Sequence, residues 1–328
     1  MVRFEPHAPR RPDILVVGEA LVDIVHRADG SVDERPGGSP ANVALTLGRL
    51  DRSPRLLTAI GDDAHGRLVR AWLAESAVIL EGAASARTSL ASAHLDEQGS
   101  ARYDFAITWE IDTARTRRAD ALHVGSIAAV LDPGAHAVAD LVDTHHRRAL
   151  VSYDPNVRAG LIDDEDAVRS LVAALRTQAD VVKASDDDIA WLHPGEDVVS
   201  VARRWAAEGP ALVVVTLGAR GAIAVVRGEV LRVPGVPVEL VDTVGAGDTF
   251  MGTLIDGLLQ AGAYGAEARR VLADLSTGRI DSILRRSAAA AAVTVSRPGA
   301  DPPRLAELDQ AVSAARQRAP HEREPRRR

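Results

Sequence analysis

From residue 119 onward, short apolar runs alternate with stretches of helical spacing, and that rhythm leaves few folds open. The runs ALHVG, ALVSYD, DVVKA and ALVVVTLG lack polar alternation, so both faces of each strand must be covered. Between them, residues 133–146 and 163–178 place apolar side chains at helical intervals, and a further helix pair precedes the last run. Such alternation predicts an α/β fold with a mostly parallel sheet and helices on both faces. Ligands bind such sheets at the carboxyl ends of the strands. Gly18, Asp154, Lys183, Thr216 and Asp242 fall at those predicted ends.

Nothing in the 328 residues resembles an internal repeat or a Gly/Ser linker, which favours one domain over residues 13–315 carrying a lid. Residues 1–12 read as a loose leader and 316–328 as a frayed tail. The lid is expected from residues 20–36 and 87–110. Within it, 21–27 alternates apolar and polar residues, and strands at 89–95 and 102–107 flank a hairpin signal at 96–99. Strands at 13–18 and 56–60, helices at 39–50 and 304–316, and helical sequence up to 295 complete the pattern, with Ser39 as helix cap before Pro40. Aromatic residues are only 3% of the chain, so its core must be built from Ala, Val, Leu and Ile. Trp72, Trp191 and Trp205 recur on helical patterns and read as core, and His145-His146 as a solvated helix face. His123 reads as a satisfied core histidine, while Tyr103, Phe105 and Trp109 fall on or just after the lid hairpin.

The absence of cysteine excludes disulfides and thiolate metal sites and fits a reducing, cytoplasmic setting. A net charge of −7 argues against nucleic acid as a partner. Glu19 and Asp23 interrupt the apolar run at 14–25, which reads as strand and not as a signal peptide, and no run is long enough to span a membrane.

The chemistry concentrates in Asp242-Thr243-Val244-Gly245-Ala246-Gly247-Asp248-Thr249-Phe250, between a β-type run at 236–241 and helical spacing at 252–259. Gly245, Ala246 and Gly247 let the backbone turn sharply and present bare N–H groups at a helix start, which favours an anion. A carboxylate at that spot, Asp248, suits proton removal from a hydroxyl that attacks a phosphoryl group. The bland alternative is a glycine turn with Asp248 as its cap. The dinucleotide fingerprint fails because Phe250 stands at its third glycine. Walker A fails because the single lysine, Lys183, precedes Ala184.

A second glycine pair decides between these. Gly18-Glu19-Ala20-Leu21-Val22-Asp23, then Pro36-Gly37-Gly38-Ser39-Pro40-Ala41-Asn42-Val43-Ala44, together with the 242–250 stretch, resemble the signatures of the PfkB (ribokinase-like) family of carbohydrate kinases, and most of all its fructokinase branch. The resemblance runs from about 13 to about 309 and implies a ribokinase-like three-layer α/β/α fold with a small β-sheet lid that often clasps a second subunit. It implies ATP-dependent phosphorylation of D-fructose to fructose 6-phosphate. 2-Keto-3-deoxygluconate, ribose, tagatose or a nucleoside are rival acceptors, and a sugar-sensing protein without catalysis is a rival of another class. Asp23, Gly37, Gly38, Asn42 and Arg158 (in Asp154-Pro155-Asn156-Val157-Arg158) would hold the sugar. Lys183, Ser185, Thr216, Gly218, Gly221 and Gly247 would face the nucleotide. Asp188 stands where the family has a glutamate that orders magnesium, here through water, and Ser185 where it has asparagine; Ser185 reads equally as a helix cap. Carbonyls around Asp242 and the 290s would hold potassium. Related kinases often carry an asparagine near Ala288, in the adenine pocket, and its absence here leaves base recognition open.

Overall fold

A computed structural model describes residues 11–82, 84–95, 101–114 and 116–318. Their strands are, in chain order, β1 (Ile14–Val17), β2 (Leu21–His26), β3 (Val32–Gly37), β4 (Arg55–Leu57), β5 (Ile60–Gly61), β6 (Ile79–Glu81), β7 (Ala84–Ser85) and β8 (Ser89–Leu95). There follow β9 (Ala101–Ala106), β10 (Ala121–Gly125), β11 (Leu150–Asp154), β12 (Val181–Ser185), β13 (Leu212–Thr216), β14 (Ala222–Val226) and β15 (Glu229–Val233). The helices are α1 (Ser39–Arg49), α2 (Ala64–Ala74), α3 (Gly134–His145), α4 (Glu165–Gln178) and α5 (Asp186–Leu192). The remaining five are α6 (Val198–Ala207), α7 (Ala246–Gln260), α8 (Ala268–Asp274), α9 (Thr277–Val295) and α10 (Leu305–Arg318).

The main sheet runs β15-β14-β13-β12-β11-β10-β1-β4-β6, parallel from β6 to β13, with the β14–β15 hairpin antiparallel at one edge. Its strands are apolar throughout because both faces are covered. In β1, Ile14 and Val16 join a core with α1, α7 and α9, whereas Leu15 and Val17 point to the opposite core, with α3, α4 and α6. This is the α/β/α layering that the alternating runs predict.

A second sheet, β3-β2-β8-β9, stands off the first. Its buried face, with Val22 and Ile24, joins the core that holds Val69 and Leu73 of α2. The opposite face roofs a cleft. One rung across that roof carries Arg35, Asp23, Ala91 and Phe105. The hairpin expected at 96–99 lies outside the described residues.

Several expectations are corrected. No strand forms at 236–241: Pro234 and Pro237 remove ladder donors, and Val238, Leu240 and Val241 are exposed. The segment is tied down by Val241 and Asp242 N–H groups donating to Val295 O at 2.8 and 3.2 Å. Residues 56–60 divide between β4 and β5, which pair with different partners. α7 begins at Ala246, at the glycine turn where the sequence places a helix start. Ser39 lies inside α1, whose cap is Gly38, at φ 104°. His145 is buried, not solvated: Nε2 accepts from Ala119 N–H at 3.1 Å, and Nδ1 lies 2.8 Å from Leu141 O. His146, half-buried, reaches Gln178 O at 2.8 Å. Trp109 leaves the lid and is buried, donating Nε1–H to Ala128 O at 2.9 Å. Trp205 and His123 are buried, as the sequence pattern predicts, with His123 Nδ1 3.1 Å from Ser152 Oγ; Trp72 and Trp191 are half-buried.

Candidate active site

A cleft of about 880 Å³ opens between the lid, the first turns of α1 and α7, and the loops at 156–161 and 298–300. Its floor starts at Gly245, whose φ of 75° and lack of a Cβ are both required, since a Cβ there would lie 2.5 Å from Ala300 Cβ. The first helical bond of α7 is Thr249 N–H to Gly245 O at 2.8 Å. The N–H groups of Gly247 and Asp248 have no acceptor among the described residues, so the positive end of a 15-residue helix faces the cleft bare.

Asp248 is the third residue of α7 and is fixed from two sides. Its Oδ1 accepts from Ser39 Oγ at 2.7 Å and its Oδ2 from Asn42 Nδ2 at 2.8 Å. Both donors sit on one face of α1 because they are three residues apart. Asn42 Oδ1 is buried without a hydrogen-bond partner among the described residues and so keeps a free acceptor at the cleft. Close helix crossing sets this up: a Cβ on Gly252 of α7 would lie 2.7 Å from Thr46 Cβ of α1.

The lid supplies Asp23. Burial, only partly offset by Arg158 and reinforced by Asp248, pushes its pKa up to about 6. No protein donor among the described residues bonds its carboxylate. Gly37 must be glycine beside it, since a Cβ would fall 2.3 Å from Asp23 Oδ2. Gly38, on the same turn, would place a Cβ 2.5 Å from Glu19 O.

Glu19, which the sequence reading passed over, also lines the cleft. Burial raises its pKa to about 7 against the pull of Ser126, Arg158 and the Ala128 N–H. Arg158 reaches the cleft with Nη1 bonded to Asn156 Oδ1 at 2.7 Å, leaving buried Asn156 Nδ2 without an acceptor. Ser39, Glu19 and Asn156 were thus missed as site residues. The spacing of Ser39 and Asn42 was the available signal for the first.

Lys183 does not line the cleft. Its Nζ lies 2.6 Å from Asp154 Oδ2 and 3.5 Å from Gly247 O, directly beneath the helix start. Burial pulls its pKa down, but Asp154, then Asp188 and Asp248, outweigh it, so the net direction is up and the charge is retained. Asp188 is committed to structure: Oδ2 accepts from Ser185 N–H and Oγ, both at 2.7 Å, and Oδ1 from Val157 N–H at 2.7 Å. Ser185 is the N-cap of α5 in this capping box. Asp242 spans two loops, accepting from Val244 N–H at 3.0 Å and Gly299 N–H at 2.8 Å. Thr216 pairs with Ser185 at the ends of β13 and β12. Gly218 and Gly221, at φ 56° and 93°, form the turn just beyond, with open space over Gly218. The structure therefore gathers Asp23, Gly37, Gly38, Asn42, Arg158, Asp242, Gly245, Gly247 and Asp248 around the cleft. It sets Lys183, Ser185, Asp188, Thr216, Gly218 and Gly221 apart from the cleft wall, with Lys183 joining the two groups.

Known proteins resemble the chain along most of its length. The family model for pfkB family carbohydrate kinases matches residues 11–307. A fructokinase of Klebsiella pneumoniae is 34% identical over 261 residues, covering 76% of this chain and 85% of the relative. Fructokinase-2 of Oryza sativa subsp. japonica is 35% identical over 272 residues, 76% of this chain and 80% of the relative. The crystal structure of a Xylella fastidiosa fructokinase with bound ATP superposes with a TM-score of 0.82 at 26% identity, over 93% of this chain and 99% of that one. A Vibrio cholerae fructokinase double mutant, in a form with bound fructose, ADP and potassium ion, gives 0.75 at 25% identity, over 93% and 98%.

Proposed function

Because the chain belongs to the pfkB family of carbohydrate kinases, we propose that it transfers the γ-phosphoryl group of ATP to the primary hydroxyl of D-fructose, giving fructose 6-phosphate and ADP. The observation that carries this reading is the aim of Asp248, a carboxylate held by Ser39 and Asn42 beside unpaired helix-start N–H groups. Asp248 takes the hydroxyl proton, the oxygen bonds to the γ-phosphorus, and the bond to the β-phosphate oxygen breaks, leaving ADP with the electron pair. The N–H groups of Gly247 and Asp248, at the end of the Gly245-Ala246-Gly247 turn, receive the charge that builds on the phosphoryl oxygens, and Lys183 adds a buried positive charge behind them.

Asp23, the Asn42 carbonyl and Arg158 hold the sugar hydroxyls, with Gly37 and Gly38 giving it room. Thr216, Gly218, Gly221 and the Ser185 turn receive the nucleotide. Among the described residues no group of three acids or histidines is arranged to hold a metal, and Asp188 is occupied by protein donors, so the residues do not fit a direct magnesium site. Magnesium, carried on the phosphates of ATP, supplies charge neutralisation there. Asp188 instead ties the Asn156–Arg158 loop to α5. Carbonyls of the 241–244 and 295–300 segments, stitched together by Asp242, offer a potassium site. Among the described residues no helix is long and apolar enough to cross a membrane. We take the working form to be a cytoplasmic homodimer clasped through the lid, whose edge strands β3 and β9 each have one side unpaired among the described residues.

An ADP-release screen over fructose, 2-keto-3-deoxygluconate, ribose, tagatose and nucleosides tests the reading, with Asp248→Asn as control. Fructose should give the highest kcat/KM. The variant should keep sugar and ATP affinity within a few-fold while kcat falls by about 10²–10⁴, the span of general-base catalysis. Near-normal turnover by Asp248→Asn would remove the mechanism.

A further inference from the structure

A cluster of charged groups on the lid lines the cleft without a part in the mechanism above. Arg35 lies on the roof of the lid, on the same rung as Asp23. Its Nε and Nη2 bond Asp33 Oδ2 at 3.0 and 2.9 Å, and Arg27 Nη2 approaches the same oxygen at 3.7 Å. The Arg27–Asp33–Arg35 cluster therefore carries a net positive charge. Arg35 Nη1 donates to nothing among the described residues. It lies against the far wall, 3.0 Å from where a Gly299 Cβ would stand. The next residue, Ala300, is the one that packs on Gly245 at the start of α7.

We propose that Arg35 is a phosphoryl-binding residue supplied by the lid. Its free Nη1 takes an oxygen of the phosphoryl group as it reaches the sugar and holds the sugar phosphate before release. The inference rests on the kinase reading. Three features favour it over a plain lid latch. Gly299 offers Nη1 no bonded acceptor. Asp33 grips the other edge of the guanidinium, which fixes the direction of the unused N–H pair. The position bridges the sugar-side rung and the anion-binding helix start, where the transferred group must pass. Asp23, Asp242 and Asp248 line the same cleft and repel a phosphate, which a lid cation in addition to Arg158 helps to offset.

The test compares the wild-type chain with Arg35→Gln and Arg35→Lys by calorimetry with fructose and with fructose 6-phosphate, alongside kcat. Arg35→Gln should weaken fructose 6-phosphate binding and lower kcat by about tenfold each, the scale of one charge-assisted hydrogen bond. Fructose affinity should stay within about twofold, and Arg35→Lys should recover most of the phosphate-ester binding. If fructose and fructose 6-phosphate weaken in parallel, Arg35 is only a lid contact and the proposal falls. It falls equally if neither changes. A wild type that binds fructose yet phosphorylates no sugar overturns the kinase reading beneath it, a result separable from a failure of Arg35 alone.

Discussion

At the scale of single residues, the cleft collects carboxyl groups that water no longer stabilises. Glu19 shows the consequence most simply, because it is almost fully buried and its pKa moves from 4.5 to about 7. Between those values the folded state keeps a proton that the unfolded chain has released. Its contribution to stability is therefore present at low pH and lost as pH rises through the window. At roughly 1.4 kcal/mol per unit, the loss approaches about 3 kcal/mol. Glu19→Gln, which cannot ionise, should match the wild type in thermal midpoint at pH 4.5 and exceed it by several degrees at pH 7.5. The comparison must be with the variant, because His123, whose pKa burial lowers to about 3, stabilises the fold in the opposite direction as pH rises through 3–6.5. A midpoint difference that stays constant from pH 4.5 to 7.5 would show that Glu19 ionises in the fold as it does in water.

At the scale of elements, the proposed catalysis rests on how closely α1 and α7 cross. Gly252→Ala gains about 1 kcal/mol of helix propensity, but its Cβ meets Thr46 Cβ at 2.7 Å and Val43 O at 3.2 Å. Overpacking of that kind costs about 1–3 kcal/mol, so the variant should show a net loss in urea unfolding. Its kcat should fall more than its sugar affinity, because Asp248 rides on α7 while Ser39 and Asn42 ride on α1. A variant as stable and as active as the wild type would mean that the crossing has slack. This level also marks what the sequence makes legible. Elements whose signal is local were readable: the buried runs of the main sheet, the β8 and β9 strands, and the glycine turn beside Asp248. Contacts that no local pattern encodes were not. Ser39 reads as a cap because Ser before Pro is a cap signature, but the α7 acid arriving from 209 residues away claims its hydroxyl. The apolar residues at 236–241 suggest a strand, yet Pro234 and Pro237 remove ladder donors, and β15 stays the edge strand of the sheet. For Asp188 the sequence suggests magnesium held through water, but no local pattern announces the Val157 N–H that its Oδ1 accepts.

At the scale of the whole molecule, the cleft is where distant segments of one chain are tied together. Its walls come from 19–42, 91–93, 105–107, 126–127, 156–161, 241–248 and 298–300, so neither end of the chain can complete it alone. A sugar touching Asp23, Asn42 and Asp248 would join the lid to both helices of one core face. A ligand of the folded state alone raises the unfolding free energy by RT ln(1 + [L]/Kd), about 2.7 kcal/mol at a hundredfold excess over Kd. Fructose alone should therefore raise the thermal midpoint, increasingly with concentration, before any ATP is added. Asp23→Asn removes the charge that sugar hydroxyls bond most strongly while leaving the fold intact, since no protein group among those described donates to that carboxylate. That variant should need at least tenfold more fructose for the same shift, yet show an unchanged shift with ATP. The two ligands then report on separate parts of the site: the lid rung for the sugar, and the α7 start with the β12–β13 ends for the nucleotide. Should ATP stabilise the chain while fructose leaves the midpoint unmoved at every concentration, the roof of the cleft does not read fructose, and the acceptor must be sought among other polyols.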